Sequence, residues 1–167
     1  VQKMEKLKKE IQFVVDIYKS GDLSKAETLC QNLIINNSKV AFLYNLMGLI
    51  LSAQKNINQA EEYYKKGLKI DAQFAMIYNN LGLLYFENKS EGHIKKAENY
   101  YKKSISINNK IPEPYTNLGS LYNSLSKFQD AIDCYKKALL NNPKFAYAHH
   151  NLGNIHVSLG NFVEAKK

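Results

Sequence analysis

The chain has 167 residues, enough for one domain, and a formal charge of +8 from 23 basic residues against 15 acidic ones. Every basic residue is Lys, so no guanidinium fork for guanine or phosphate is available, and the excess charge is weak support for a nucleic-acid partner. No apolar run is long enough to span a membrane and no secretory signal is visible, although a leader removed before Val1 stays open.

In chain order, residues 7–40 read as a first helical pair, with residues 1–6 extending its first helix. Residues 41–74 read as helices over 41–54 and 57–70, because Leu43, Leu46, Met47 and Ile50 recur at spacings of three and four. Residues 75–111 form a longer copy. Its extra residues lie in Asn88-Lys89-Ser90-Glu91-Gly92-His93, between the two helices. They are either a tolerated loop insertion or a contact loop for a partner. Residues 112–145 form another full copy. Residues 146–167 form a copy cut short, whose second helix should continue beyond Lys167. A longer protein, or a piece cut inside a repeat, is expected from this. The uncapped end could stack on a second copy of the chain.

The copies share a word. Asn80-Leu81-Gly82, Asn117-Leu118-Gly119 and Asn151-Leu152-Gly153 recur at spacings of 37 and 34 residues, and Leu46-Met47-Gly48 is a weaker version. Aligned on the glycine, other columns appear. Tyr44, Tyr78, Tyr115 and His149 precede it; Leu51, Tyr85, Tyr122 and His156 follow. Then come Ala60, Ala97, Ala131 and Ala165, with Tyr64, Tyr101 and Tyr135 four residues on. Gly67, Ser104 and Ala138 are small again, and Ala72, Asn109 and Pro143 stand near the ends. In residues 7–40, Ala26, Cys30 and Leu33 keep register while Val14 replaces the glycine. Self-similarity at this period indicates a solenoid of stacked helical pairs.

These columns resemble the tetratricopeptide repeat (TPR), with an Asn-Leu-Gly spelling similar to the superhelix of O-linked N-acetylglucosamine transferases. The resemblance covers nearly the whole chain and implies an all-α, right-handed TPR solenoid. The helical glycines each cost about 1 kcal/mol relative to Ala. The sequence-level reason is close approach of the partner helix at Ala60, Ala97 or Ala131.

In this family the first helix of each repeat lines a concave groove. That places Asn45, Leu49 and Ser52 there, then Asn79, Leu83 and Phe86. Thr116, Ser120 and Asn123 follow, then His150, Asn154 and Val157, with Ile11, Val15 and Tyr18 at the N-terminal end. These groove positions contain no Lys or Arg after residue 40, which argues against the acidic C-termini held by chaperone-associated TPRs. Asn80, Asn117 and Asn151 resemble the transferases' asparagine ladder, whose amides bind the backbone of an extended peptide. The alternative is that each bonds a neighbouring helix of the array.

Much of the lysine is accounted for by acid-then-base pairs four residues apart: Glu61–Lys65, Glu62–Lys66, Glu98–Lys102 and Asp133–Lys137. Cys30 and Cys134 lie three repeats apart and read as small buried packing residues. His149 and His156 occupy aromatic packing columns and His150 faces the groove, so no metal site is expected. No catalytic or cofactor-binding motif appears. The chain therefore reads as a non-enzymatic, cytoplasmic scaffold or adaptor with a protein or extended-peptide partner and no membrane role. Alternatives are the substrate-recruiting arm of a larger transferase, or a self-assembling scaffold.

Overall fold

The computed structural model describes residues 2–88 and 92–160. Among them lie nine helices and no strand. They are α1 (Gln2–Lys19), α2 (Leu23–Asn36), α3 (Ala41–Ala53), α4 (Ile57–Ile70), α5 (Ala75–Glu87), α6 (His93–Ile107), α7 (Pro112–Ser124), α8 (Phe128–Asn141) and α9 (Ala146–Ser158). The expected continuation into 161–167 and the core of the insertion, 89–91, lie outside the described residues.

The helices pair because each connection is short and built from defined turn chemistry. Within a pair, the turn uses one residue in the left-handed region. Gly21, Lys55, Gly92, Ser126 and Gly160 have φ of 89°, 66°, 81°, 57° and 74°. After α3 and α7 this is a Schellman stop: Asn56 N–H reaches Leu51 O and Lys127 N–H reaches Tyr122 O, both at 2.9 Å. Between pairs, a side-chain carboxylate or amide oxygen accepts the N–H two residues on. Asp71 takes it from Gln73, Asn108 from Lys110 and Asn142 from Lys144, at 2.9, 3.0 and 3.1 Å.

The chain divides into two compact units, Val1–Ile77 and Tyr78–Lys167. In the first, α1 to α4 pack on their sequence neighbours, and α1 also touches α3. Tyr63 Oη donates to Gln31 Oε1 at 2.9 Å and Gln54 Nε2 to Glu27 Oε2 at 2.8 Å, fastening one repeat to the next. In the second, α6 to α9 pack likewise, and α7 also touches α9. There Tyr122 Oη donates to Glu98 Oε1 at 2.9 Å.

The core of each unit is the set of columns the repeat supplies. Ala26, Ala60, Ala97 and Ala131 are fully buried, as are Cys30, Tyr64, Tyr101 and Tyr135 one turn further on. The glycines answer to this second column and not to the alanines expected from sequence. A Cβ on Gly82 would lie 2.6 Å from Tyr101 Cε1, and one on Gly119 2.6 Å from Tyr135 Cε1. Gly48 meets the ring of Tyr64 in the same way. In the first repeat both columns change together. Val14 stands at the glycine register and Cys30 at the tyrosine register, and both are buried. Burial pushes the Cys30 thiol up to about 12 and the Cys134 thiol up to about 11. Both are free thiols.

Two of the four expected ion pairs form, Glu61–Lys65 and Glu98–Lys102. Lys66 instead lies 4.7 Å from the centre of the Tyr63 ring, and Asp133 accepts from Gln129 Nε2 at 3.0 Å. An exposed pair gains little over hydration, so a ring or an amide competes with it.

Candidate binding surface

The side chains expected to bind lie on the first helix of each pair, and the structure divides them by depth. In the first unit Asn45 is buried in α3, while Leu49 and Ser52 are half-buried. Ser52 Oγ donates to Gly48 O at 2.8 Å and sits 3.4 Å from Tyr64 Oη. Ile11, Val15 and Tyr18 are half-buried on α1.

In the second unit Asn79, Asn80 and Thr116 are buried. Asn117 Nδ2 donates to Asn79 Oδ1 at 2.9 Å, and Asn79 Nδ2 to Asn80 Oδ1 at 3.3 Å. Asn151 Nδ2 points at Ser120 Oγ across 3.5 Å. The amide nitrogens of Asn117 and Asn151 thus reach into the preceding repeat, fastening α7 to α5 and α9 to α7. Thr116 Oγ1 donates to Glu113 O at 2.8 Å, and Ser120 Oγ to Thr116 O at 3.0 Å.

What reaches solvent is a mixed strip. Leu83, Phe86 and Ser120 are half-buried; Asn123, His150, Asn154 and Val157 are exposed. Asn154 Nδ2 and His150 Nε2 lie 3.0 Å apart, one turn from each other on α9. His149 is a correction: it is exposed and not core, with Nε2 2.8 Å from Pro143 O. His156 is half-buried, and its Nδ1 is buried with no partner among the described residues. Among the described residues no cluster of His, Cys, Asp or Glu could hold a metal ion.

Two exposed aromatics on these helices were not among the expected positions. Phe42 on α3 and Tyr147 on α9 are exposed by 41% and 58%, at the same register of their repeats. Phe42 stands three residues before Asn45 and seven before Leu49, a helical-face spacing that would have found it. Its ring packs edge-on against Phe74, centres 6.5 Å apart. A cavity of about 480 Å³ opens elsewhere, between α1 and α2, lined by Lys3, Lys6, Leu7, Glu10, Asn32 and Leu33 among others. It touches none of the expected binding residues.

Charge is uneven along the chain. Helix α1 carries Lys3, Lys6, Lys8, Lys9 and Lys19, whereas α3, α5, α7 and α9 contain no Lys, and their only charged residues are Glu87 and Glu113. The second helices carry the doublets Lys65-Lys66, Lys102-Lys103 and Lys136-Lys137.

Comparison with known proteins accords with these repeats. Tetratricopeptide-repeat family models match residues 43–74 and 75–111, 112–145 and 134–167. No curated protein matches the chain in sequence. Among solved structures, Pseudomonas aeruginosa pilF superposes with a TM-score of 0.84 at 17% identity, over 99% of this chain and 74% of that one. TTC0263, a thermophilic TPR protein of Thermus thermophilus, gives 0.82 at 18% identity, over 95% and 86%. The first TPR of Spaghetti (RPAP3), bound to the HSP90 peptide SRMEEVD, gives 0.65 at 23% identity, over 74% and 95%. With family matches running from residue 43 to 167 and a helix pair for each copy from residue 7 to 145, the chain belongs to the tetratricopeptide-repeat family and has its all-α solenoid fold.

Proposed function

We propose that this chain is a protein-interaction scaffold whose first helices bind an extended peptide or a partner protein. The supporting observation is the lysine-free strip that keeps Leu83, Phe86, Ser120, Asn123, His150 and Asn154 within reach of solvent. Apolar spots interleaved with amides and hydroxyls suit a peptide, which offers side chains to the first and backbone groups to the second. Asn45, Asn79, Asn80 and Thr116 serve from beneath, and the nitrogens of Asn117 and Asn151 hold the helices in register. The RPAP3 neighbour is bound to an acidic peptide. This strip has no cation to receive one. Two free, buried thiols support reading this scaffold or adaptor as cytoplasmic, where thiols stay reduced.

The test is selection of peptides from a random library on the intact chain, followed by affinity measurements on variants. Asn123→Lys or Asn154→Lys should weaken the selected peptides about tenfold, as for one central interface contact. Lys103→Glu, on the second helix α6, should leave them unchanged. Loss with Lys103→Glu alone would place binding on the other face and end this reading.

A further inference from the structure

On α5, Leu83, Phe86 and Glu87 stand at i, i+3 and i+4, so they share one face. Leu83 and Phe86 are half-buried and Glu87 is exposed. Glu87 occupies the last turn of α5, where the helix dipole disfavours a carboxylate. The ion pairs among the described residues, Lys6–Glu10, Glu61–Lys65 and Glu98–Lys102, do not include it. No Lys stands on α5, α7 or α9, so Glu87 is the one charged residue of α5, beside an apolar pair on the same face.

The floor beneath is also unusual for this chain. Ser52 meets the hydroxyl of Tyr64 and Ser120 that of Tyr135. At the two corresponding registers the α5–α6 repeat has Phe86 and Leu83. The Tyr101 hydroxyl is therefore buried without a partner among the described residues. Burial raises the Tyr101 pKa, and the charge of Glu87 raises it further. Leaving a buried hydroxyl unpaired opposes folding. Two apolar residues that bring this loss and stay half exposed are better explained by what they present to solvent.

We propose that this face of α5 receives a basic side chain of the partner, the aliphatic stem lying over Leu83 and Phe86 and the charged head meeting Glu87. Lys and Arg have this shape, an apolar stem ending in a cation, and the Phe86 ring adds a favourable surface for the cation. The proposal rests on the reading that the first helices bind peptide.

The test uses the same random peptide library on the intact chain. Selected peptides should carry Lys or Arg at one fixed position beside an apolar residue. Glu87→Gln should weaken them about fivefold, as expected for an exposed pair, and high salt should do the same. Selection on Glu87→Lys should exchange the basic position for Asp or Glu. Peptides sensitive to Asn123→Lys yet indifferent to Glu87→Gln would overturn this proposal and leave the general reading standing. Peptides indifferent to both, or no enrichment at all, would overturn both.

Discussion

At the scale of single residues, the glycine and tyrosine columns are one device. Gly119 lacks a Cβ because the Tyr135 ring occupies that space, and in the first repeat the same two registers hold Val14 and Cys30. Gly119→Ala gains about 1 kcal/mol of helix propensity but meets overpacking worth about 1–3 kcal/mol, so it should lower unfolding free energy. Adding Tyr135→Cys to Gly119→Val should recover about 1 kcal/mol or more relative to the sum of the two single changes. Strict additivity in denaturant melts would contradict the pairing. The unpaired Tyr101 hydroxyl gives a second contrast. Tyr101→Phe should leave stability unchanged or raise it, whereas Tyr135→Phe should cost about 0.5–1 kcal/mol. The sequence showed that these glycines needed a packing reason, and it pointed to the alanine. The tyrosine one turn later decides it, and helix rotation sets which of the two faces the glycine.

At the scale of elements, helix pairing was legible because apolar spacing and the recurring triplet both survive in nearly every copy. The turns were less so. Gly21, Gly92 and Gly160 mark the left-handed position openly, but Lys55 and Ser126 hold the same φ without announcing it. A non-glycine residue there is strained by about 1–2 kcal/mol, partly offset by glycine's greater freedom when unfolded. Lys55→Gly should therefore stabilise the chain by about 0.5–1 kcal/mol in denaturant titration. The joint between α6 and α7 should respond to pH. Hydrogen bonding from Lys102, and also from Tyr122, lowers the Glu98 pKa below its ordinary 4.5. A depressed carboxylate contributes stability above its unfolded pKa and loses it as pH falls through the folded one. Wild type should exceed Glu98→Gln in stability at neutral pH, and the gap should close as the solution is acidified below about pH 4. A gap that stays constant with pH would show that the contact contributes by shape alone.

At the scale of the molecule, net charge was a poor guide because it is not evenly shared. Helices α3, α5, α7 and α9 hold no Lys, while α1 holds five and α4, α6 and α8 hold doublets. The proposed strip was legible as a set of positions and illegible as to depth. Asn79 and Thr116 share register with His150, yet they are buried where His150 is exposed. Neighbouring first helices cover the former, which a single repeat cannot reveal. The most direct measurement is backbone amide shift mapping of the intact chain with a library-selected peptide bound. Perturbations clustered on α5, α7 and α9, around Leu83, Asn123 and Asn154, are predicted. Perturbations confined to the lysine doublets of α6 and α8 would contradict the assignment of the binding surface.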